Sequence, residues 1–300
     1  MLRPGMLTTI QDRGRWGWQH LGVSPGGPMD PWSFRLANIL VGNDEWAAAL
    51  EVTLMGPELR AEQELTVAVT GADLGASVPM LTASRISKGG VLHFGPRRRL
   101  TRAYVAVRGG IETPLVLGSR AASLSARLPG LAGRALKRGD TVPVGIAATD
   151  APPAHGRVFD SHDQDAIVRF IWGPDRDRFS DETAETFVKT SFTLSTDSNR
   201  MGFRLQGSVL TVREGGQVLS EASPMGSLQV PPSGQPILLM ADRQTTGGYA
   251  RIGTVITADL HVAGQLGPGD AVRFRPCDRE EALDALREQE HELQDLRGFL

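Results

Sequence analysis

The sequence has few residues that could crosslink the fold through disulfide bonds or a bound metal ion. It contains one cysteine, Cys277, in 300 residues, so no internal disulfide forms. No Cys/His cluster has the paired spacing of a structural zinc site, and we expect no metal. No apolar run approaches the about 18 residues that a transmembrane helix needs, and the N-terminus lacks the apolar segment of a signal peptide. We therefore expect a cytoplasmic chain without a membrane association.

Charge of neither sign dominates, and several catalytic motifs are missing. The 32 basic and 34 acidic residues give a net charge of −2, so no global positive field exists to bind nucleic acid. The sequence has no P-loop, no H-E-x-x-H and no Met-Lys-Met of the kind that carries biotin. A chain that performs chemistry here must therefore obtain its nucleotide or carrier from elsewhere.

What the sequence does contain is a mainly β pattern. Its 35 glycines and 19 prolines separate short segments in which apolar residues alternate. Strands are predicted at 65–70, 103–107, 167–171, 209–212, 237–240 and 271–274. Two segments predict helices: 30–40, with an aspartate cap and a proline in the first turn, and 278–300, whose narrow leucine stripe predicts docking on a neighbour or fraying. This pattern predicts a β-barrel or a β-sandwich.

Four landmarks recur in the same order and indicate an internal duplication. They are D-x-x-R-(W/M)-G-aromatic at 12–18 and 197–203, the glutamates Glu51 and Glu221 each four residues before Met-Gly, Ala-Asp at 72–73 and 241–242, and Leu-x-x-Gly-Asp-x-Val at 136–142 and 266–272. Each match alone is weak evidence, because dipeptides such as Gly-Asp and Ala-Asp are common in turns. Their shared order predicts two lobes of one fold. The predicted organisation is a first lobe at 1–150, a linker at 151–163, a second lobe at 164–277 and a helical tail at 278–300.

Three polar clusters are candidate ligand sites. The loop 24–30 leads into the first predicted helix, so Ser24, Gly26 and Gly27 could present backbone N–H groups to a carboxylate or phosphate; a helix-capping turn is the alternative. The second cluster follows the strand 237–240 and combines charge, amide, hydroxyl and bare backbone, which suits a small carbonyl-rich ligand, although a surface hairpin loop would look similar. Its members are Asp242, Arg243, Gln244, Thr245, Thr246, Gly247 and Gly248.

The third cluster is the repeated D-x-x-R motif, which supplies Asp12 and Arg200. Because both halves carry the motif, a local ion pair common to the fold is preferred over catalysis, and the same holds for Glu51 and Glu221. Asp242, Asp12 and His20 are the possible acid–base groups, and no catalytic residue is assigned.

The motifs at 2–15, 22–30, 38–43 and 241–249 together resemble the biotin-dependent carboxyltransferase-like family, also known as allophanate hydrolase subunit 2 or KipA. The resemblance runs in order from about residue 2 to 274. It implies two tandem cyclophilin-like β-barrel lobes with short helices and a C-terminal helix, in agreement with the duplicated β pattern.

The resemblance also implies an activity and partners. Bacterial members include C subunits of 5-oxoprolinase, which opens 5-oxoproline, a cyclic amide with a carboxylate, to L-glutamate with ATP hydrolysis. A KipI-like partner would form a heterodimer with this chain, a LamB/YcsF-like partner would complete the enzyme, and the isolated chain would be inactive. ATP would bind at a site shared with a partner. Arg243 or Arg200 would then pair with the substrate carboxylate, and donors near Gly247 and Gly248 would polarise the lactam carbonyl.

Two other functions remain open on the same resemblance. The fold also forms the carboxyltransferase portion of urea carboxylase, which needs a biotinylated partner chain. A KipA-like regulator that antagonises a KipI-type kinase inhibitor would bind without turnover. A KipI-like partner is expected for both the oxoprolinase and the regulator, so complex formation alone does not separate them.

Overall fold

The computed structural model describes residues 1–128, 130–147, 166–213 and 217–298. The predicted linker at 151–163 lies outside the described residues. The chain divides into two compact units, the first comprising Met1–Trp16, Pro25–Phe159 and His291–Leu300, and the second Gly17–Ser24 and Asp160–Glu290. The short segment Gly17–Ser24 therefore belongs to the second unit, although it lies within the first predicted lobe.

The described residues are mainly β, as predicted. The strands are β1 Leu7–Gln11, β2 Ala49–Thr53, β3 Leu59–Arg60, β4 Leu65–Asp73, β5 Ser84–Ile86, β6 Val91–Leu92, β7 Arg99–Val107, β8 Ala166–Trp172, β9 Phe192–Leu194, β10 Gly202–Gln206, β11 Gln217–Ala222, β12 Ser227–Val230, β13 Ile237–Leu239, β14 Thr246–Val255 and β15 Ala271–Pro276. The helices are α1 Pro31–Leu40, α2 Asp181–Lys189, α3 Leu260–Gly264 and α4 Arg279–Gly298. No helix in the described residues has the length and apolar character to cross a bilayer.

The first unit is built on a five-stranded antiparallel sheet in the order β1-β2-β7-β4-β5, with β3 and β6 forming a separate pair. Alternation along β7 assigns its side chains to two faces: Tyr104 and Ala106 belong to one apolar cluster, and Ala103 and Val105 belong to another. Both faces of this central strand are therefore buried, which is why its sequence reads as an unbroken apolar run.

Helix α1 covers one face of that sheet. Asp30 caps it by accepting a hydrogen bond from the Ser33 backbone N–H at 2.9 Å, and Pro31 occupies the first turn, as the sequence predicts. Leu293, near the end of α4, is buried in the same cluster as Phe34, and Leu296 packs against it. The end of the C-terminal helix therefore docks within this chain, on the core of the first unit.

The second unit contains a closed seven-stranded barrel. The strands β14, β12, β13, β10, β9, β15 and β8 follow one another, and β8 pairs back onto β14 to close the ring, while β11 adds to the free side of β14. All pairs are antiparallel except β15 with β8. The predicted barrel is thus confirmed for this unit. Its core includes four packed phenylalanines, with Phe187 of α2 stacked on Phe274 at 4.9 Å between ring centroids.

Two local predictions differ from the structure. The segment 209–212 is not a strand: Val212 makes only an isolated bridge with Phe179, and Leu210 is held by a backbone hydrogen bond to Gly234. The alternation of apolar and polar residues in this segment arises because its side chains are buried or exposed one by one along an irregular stretch of backbone. Helix α2 was not predicted, because its polar sequence buries only three residues, although Ser180 caps it through the Thr183 N–H.

Both copies of the repeated Leu-x-x-Gly-Asp motif form the same turn. Asp140 in the first unit and Asp270 in the second each accept a hydrogen bond from the backbone N–H three residues earlier, at 2.8 and 2.7 Å. The glycines before them, Gly139 and Gly269, have φ of +89° and +88°, a conformation that glycine adopts without steric strain. The duplication inferred from the sequence therefore corresponds to a repeated structural element at this turn.

The Asp140→Asn variant should show a stability deficit that disappears in acid. Arg134 donates to both carboxylate oxygens, at 2.7 and 2.8 Å, and these hydrogen bonds lower the pKa of Asp140 from 3.8 to about 2. A carboxyl group whose pKa is lower in the folded than in the unfolded state stabilises the fold. This contribution is complete above the unfolded-state pKa and is lost as the pH falls through the folded-state pKa. The difference in free energy of unfolding between wild type and variant should therefore be constant near neutrality and shrink between about pH 4 and pH 2.

Urea unfolding at a series of pH values measures this difference. Asparagine keeps an oxygen for the turn hydrogen bond, so the variant tests the charge specifically. Asp284→Asn, which removes an exposed helical carboxylate paired with Arg287, serves as the control and should show almost no deficit. A deficit for Asp140→Asn that persists unchanged at the acid end would contradict the role of its ionised carboxylate.

Candidate functional site

A buried ion pair joins two of the sequence clusters in the second unit. Arg200, from the second copy of the repeated motif, donates from Nε to Asp242 Oδ2 at 2.9 Å and from Nη2 to Oδ1 at 3.0 Å. The Asp242 backbone N–H donates in turn to the Arg200 carbonyl at 2.8 Å. The side chains are only 6% and 5% exposed. Asp242 thus uses both carboxylate oxygens on Arg200, which holds the turn after β13 in place.

Arg243 is the cation of this cluster without a matching carboxylate. It is 5% exposed, and its Nε donates to the Ser223 carbonyl at 2.7 Å. Burial lowers its pKa to about 10, and the nearby charge of Asp242 offsets this only in part. Within the described residues its two terminal nitrogens donate to no protein acceptor. A desolvated guanidinium with unused donors is suited to bind an anionic ligand.

The glycines after Arg243 lie on a strand rather than in a loop. Thr246 and Gly247 begin β14 and pair with Ala222 and Glu221 of β11. The hairpin-loop alternative therefore holds only for the few residues before Thr246. A Cβ on Gly247 would lie 2.3 Å from Gln229 Nε2 and 2.9 Å from Ser223 Oγ. The absence of a side chain at Gly247 is what lets these polar groups approach the strand.

Ser223 and Gln229 are members of the cluster that the sequence analysis missed. Ser223 donates its backbone N–H to the Thr245 carbonyl at 3.0 Å, and its Oγ lies 3.5 Å from Gln229 Nε2. Gln229 is buried in β12. The site therefore combines a guanidinium, a buried amide and a buried hydroxyl, which are the groups that match a carboxylate and an amide edge.

The loop cluster at 24–30 is divided between the two units. Ser24 belongs to the second unit, where its Oγ donates to the Ala241 carbonyl at 3.5 Å, next to Asp242. Gly26 and Gly27 belong to the first unit and both have positive φ, and a Cβ on Gly27 would meet backbone oxygens at 3.3 Å. Of the three residues predicted from this loop, the structure brings Ser24 to the Arg243 cluster.

Asp12 has the surroundings of a structural carboxylate. It is buried and accepts hydrogen bonds from the Gly14 N–H at 2.9 Å, Ser119 Oγ at 2.5 Å and the Arg120 N–H at 2.5 Å. These bonds tie residues 12–14 to residues 119–120 of the first unit. His20 lies on an exposed 3₁₀ turn and makes no hydrogen bond with any described residue.

The repeated glutamates have diverged. Glu51 is buried, and its Oε2 accepts hydrogen bonds from the Met29 N–H at 2.8 Å and from the Tyr104 hydroxyl at 2.9 Å, while the Asp30 N–H donates to that hydroxyl. Burial and the charge of Glu51 raise the pKa of Tyr104 well above its usual value. Glu51 therefore anchors the loop before α1, whereas Glu221 is half exposed and pairs only at 3.5 Å with Arg251.

Comparison with known proteins assigns this architecture first to a class of domains. A family model described as the carboxyltransferase domain, subdomains A and B, matches residues 21–276. In the described residues, no group of three or more His, Cys, Asp or Glu side chains could hold a metal ion. The chain belongs to this carboxyltransferase-domain family, so the resemblance seen in its motifs is confirmed.

Individual relatives narrow the comparison. The chain is 38% identical to the C subunit of the 5-oxoprolinase of Escherichia coli over 99% of this chain and 96% of that protein, and 35% identical to the Haemophilus influenzae protein of the same name over 97% and 95%. The solved urea amidolyase of K. lactis superposes with a TM-score of 0.92 at 30% identity, covering 98% of this chain. This chain spans 20% of the length of that enzyme.

Proposed function

We propose that this chain is the C subunit of an ATP-dependent 5-oxoprolinase and that Arg243 binds the substrate carboxylate. The observation that carries the proposal is the match in length as well as sequence to the 5-oxoprolinase C subunits: the chain spans 96% of the E. coli protein but only 20% of a urea amidolyase. The similarity therefore extends over nearly the whole of the C subunit, whereas it reaches only one portion of the urea amidolyase.

The chemistry of the Arg243 cluster supports this substrate. A carboxylate can take both unused terminal nitrogens of Arg243 in a bidentate pair, and burial strengthens the interaction. The lactam edge needs one donor and one acceptor, which Gln229 and the hydroxyls of Ser223, Thr245 and Thr246 can supply. In this arrangement Arg200 and Asp242 position Arg243 through the buried turn, and Gly247, which has no side chain, lets the polar groups of Gln229 and Ser223 lie close to the strand.

Partner proteins would supply what this sequence lacks. No phosphate-binding loop occurs in the chain, so we assign ATP binding to a site that a KipI-like partner shares or provides, with a LamB/YcsF-like partner completing the assembly. We expect the isolated chain to hydrolyse neither ATP nor 5-oxoproline. Of the acid–base candidates Asp242, Asp12 and His20 we retain His20, since the two aspartates already use their carboxylates in buried hydrogen bonds, and the partners can contribute others.

Reconstitution tests the proposal. The chain is purified with its KipI-like and LamB/YcsF-like candidate partners, and glutamate release and ATP hydrolysis are followed with 5-oxoproline while each protein is omitted in turn. We expect both activities to require this chain. A complete, folded assembly that forms no glutamate, although this chain still binds the KipI-like partner, would overturn the oxoprolinase proposal.

The second candidate is carboxyl transfer to urea, which the close superposition on a urea amidolyase favours. It predicts that the chain carboxylates urea when supplied with a carboxybiotin-bearing partner, and it predicts no glutamate from 5-oxoproline. Tight binding to the KipI-like partner with neither activity would instead favour the KipA-like regulator.

The Gly247→Ala variant should weaken 5-oxoproline binding while leaving the barrel folded. The new methyl group would displace the Gln229 amide, 2.3 Å away, whose flexible end can move. We expect the KM for 5-oxoproline to rise about tenfold, as for the loss of one buried polar contact. Gly95→Ala, whose methyl group would meet its neighbours at 3.5 Å or more, is the matched control. Equal KM values for the two variants would contradict the role given to Gln229.

A further inference from the structure

The second unit has a cavity outside the Arg243 cluster. It lies beside β8, β14 and the first turns of α4 and has a volume of about 410 Å³. Its walls are mostly apolar and include Ile171, Trp172, Pro174, Val255, Leu283 and Leu286. This volume is in the lower part of the range of about 300–1,000 Å³ typical of small-molecule sites. None of its residues belongs to the cluster that the proposed function uses.

Two arginines line the cavity, and neither is fully neutralised. Arg279, at the start of α4, forms no ion pair or side-chain hydrogen bond with any described residue. Arg251, on β14, is 16% exposed, and its Nε is buried without a hydrogen-bond acceptor in the described part of the chain. Its Nη1 donates to the Ala222 carbonyl at 3.3 Å, and its Nη2 lies 3.5 Å from Glu221.

Asp175 and Glu281, which lie beside lining residues in the sequence, each have a side-chain partner other than the two arginines of the cavity. Asp175 accepts a hydrogen bond from the Arg251 backbone N–H at 2.9 Å and lies 3.6 Å from Arg178. Glu281, on the first turn of α4, pairs with Arg275 and Arg169. The terminal nitrogens of Arg251 make only one long hydrogen bond and one long ion-pair contact, so they keep donors for a ligand. The cavity therefore combines apolar walls with an excess of positive charge.

The wall that contains Arg251 is closely packed. Strand β8 ends just before Gly173, where a Cβ would lie 2.1 Å from the Arg251 carbonyl oxygen, and the Gly173 N–H donates to the Ile252 carbonyl at 2.8 Å. The end of β8 therefore packs backbone to backbone against β14 at this wall. A site with a fixed polar group and apolar walls favours ligand binding because little ordering is needed.

We propose that this cavity binds a small organic anion, a monocarboxylate with an apolar body such as a phenyl ring or a short acyl chain. The carboxylate pairs with Arg251 and Arg279, and the apolar body packs against Trp172 and the α4 leucines. This ligand class differs from 5-oxoproline, whose ring carries an amide and offers little apolar surface. The lining residues of the cavity differ from those of the Arg243 cluster, and so does the ligand chemistry.

Calorimetric titration of the full-length chain with 4-phenylbutyrate tests the proposal. We expect a dissociation constant below about 1 mM, at least tenfold weaker binding of 4-phenylbutanol, which lacks the charge, and no competition from 5-oxoproline. Arg279→Met, at an exposed position, and Arg251→Met should each weaken binding about tenfold. Leu283→Trp, which fills the cavity, should abolish it. Arg287→Met, an exposed position on the same helix, is the matched control and should bind like the wild type.

Three results would overturn the proposal. They are no binding of 4-phenylbutyrate up to about 10 mM, equal affinity for the acid and the alcohol, or wild-type affinity in a folded Leu283→Trp variant. Circular dichroism establishes that each variant is folded. If Arg251→Met does not fold, the exposed Arg279→Met variant still decides whether charge contributes.

Discussion

Replacing Arg200 with methionine should lower the free energy of unfolding of the second unit by about 3–5 kcal/mol, the usual effect of removing one partner of a buried ion pair. The carboxylate of Asp242 would be left buried, and two hydrogen bonds, at 2.9 and 3.0 Å, would be lost. The loss is large because the carboxylate would stay buried without its two donors, and only the neighbouring charge of Arg243 would offset it. Urea unfolding of wild type and variant measures the difference.

The double variant Arg200→Met/Asp242→Leu provides the control for this prediction. Replacing both charges by apolar side chains removes the stranded carboxylate, and such replacements are often close to neutral in stability. We therefore expect the double variant to recover most of the stability lost in the single variant. A small loss for Arg200→Met, within about 0.5 kcal/mol, would mean that the pair is not buried as described.

Replacing Arg243 with methionine should have the opposite signature: little change in stability and a large loss of substrate affinity. Burial lowers the pKa of Arg243 to about 10, so its charge is unfavourable in the folded protein without a ligand. Removing it should change the free energy of unfolding by no more than about 1 kcal/mol in either direction. In the reconstituted enzyme, the KM for 5-oxoproline should rise about a hundredfold, as for a lost charge-assisted pair.

The Arg243→Lys variant distinguishes charge from geometry. Lysine keeps the positive charge but cannot form the bidentate pair, so it should recover only part of the lost affinity. Wild-type kinetics in both Arg243→Met and Arg243→Lys would remove Arg243 from the site. A large loss of stability in Arg243→Met would instead assign the residue a structural role like that of Arg200.

The contrast between these two arginines shows how far sequence reasoning reached. The family resemblance implied Arg243 or Arg200 as the partner of the substrate carboxylate, whereas the motif pattern favoured a local ion pair within D-x-x-R for Arg200. Only the folded chain brings Arg200, from the loop before β10, onto Asp242, which lies 42 residues later. Arg243 is left with unused donors because of that pairing. No local pattern specifies which of two neighbouring arginines takes a given carboxylate.

Local signals predicted five of the fifteen strands in the described residues, namely β4, β7, β8, β13 and β15, and the capped helix α1, because alternation and capping act within a few residues. The closure of the barrel depends on contacts distant in sequence, namely β14 with β8 and the parallel pairing of β15 with β8. Gln229 was missed because it is one amide in a short apolar strand, Ser-Leu-Gln-Val, in which every residue is buried. A polar side chain inside such a strand is the signal that could have marked it.

The central claim is that Arg243 recognises the carboxylate of a cyclic amide, and one comparison tests it most directly. The reconstituted enzyme and its Arg243→Met variant are each assayed with 5-oxoproline and with 2-pyrrolidinone, the same lactam without the carboxylate. We predict that wild type prefers 5-oxoproline in kcat/KM by about a hundredfold and that the variant loses most of this preference, since both changes remove the same interaction. An undiminished preference in the variant would contradict the claim.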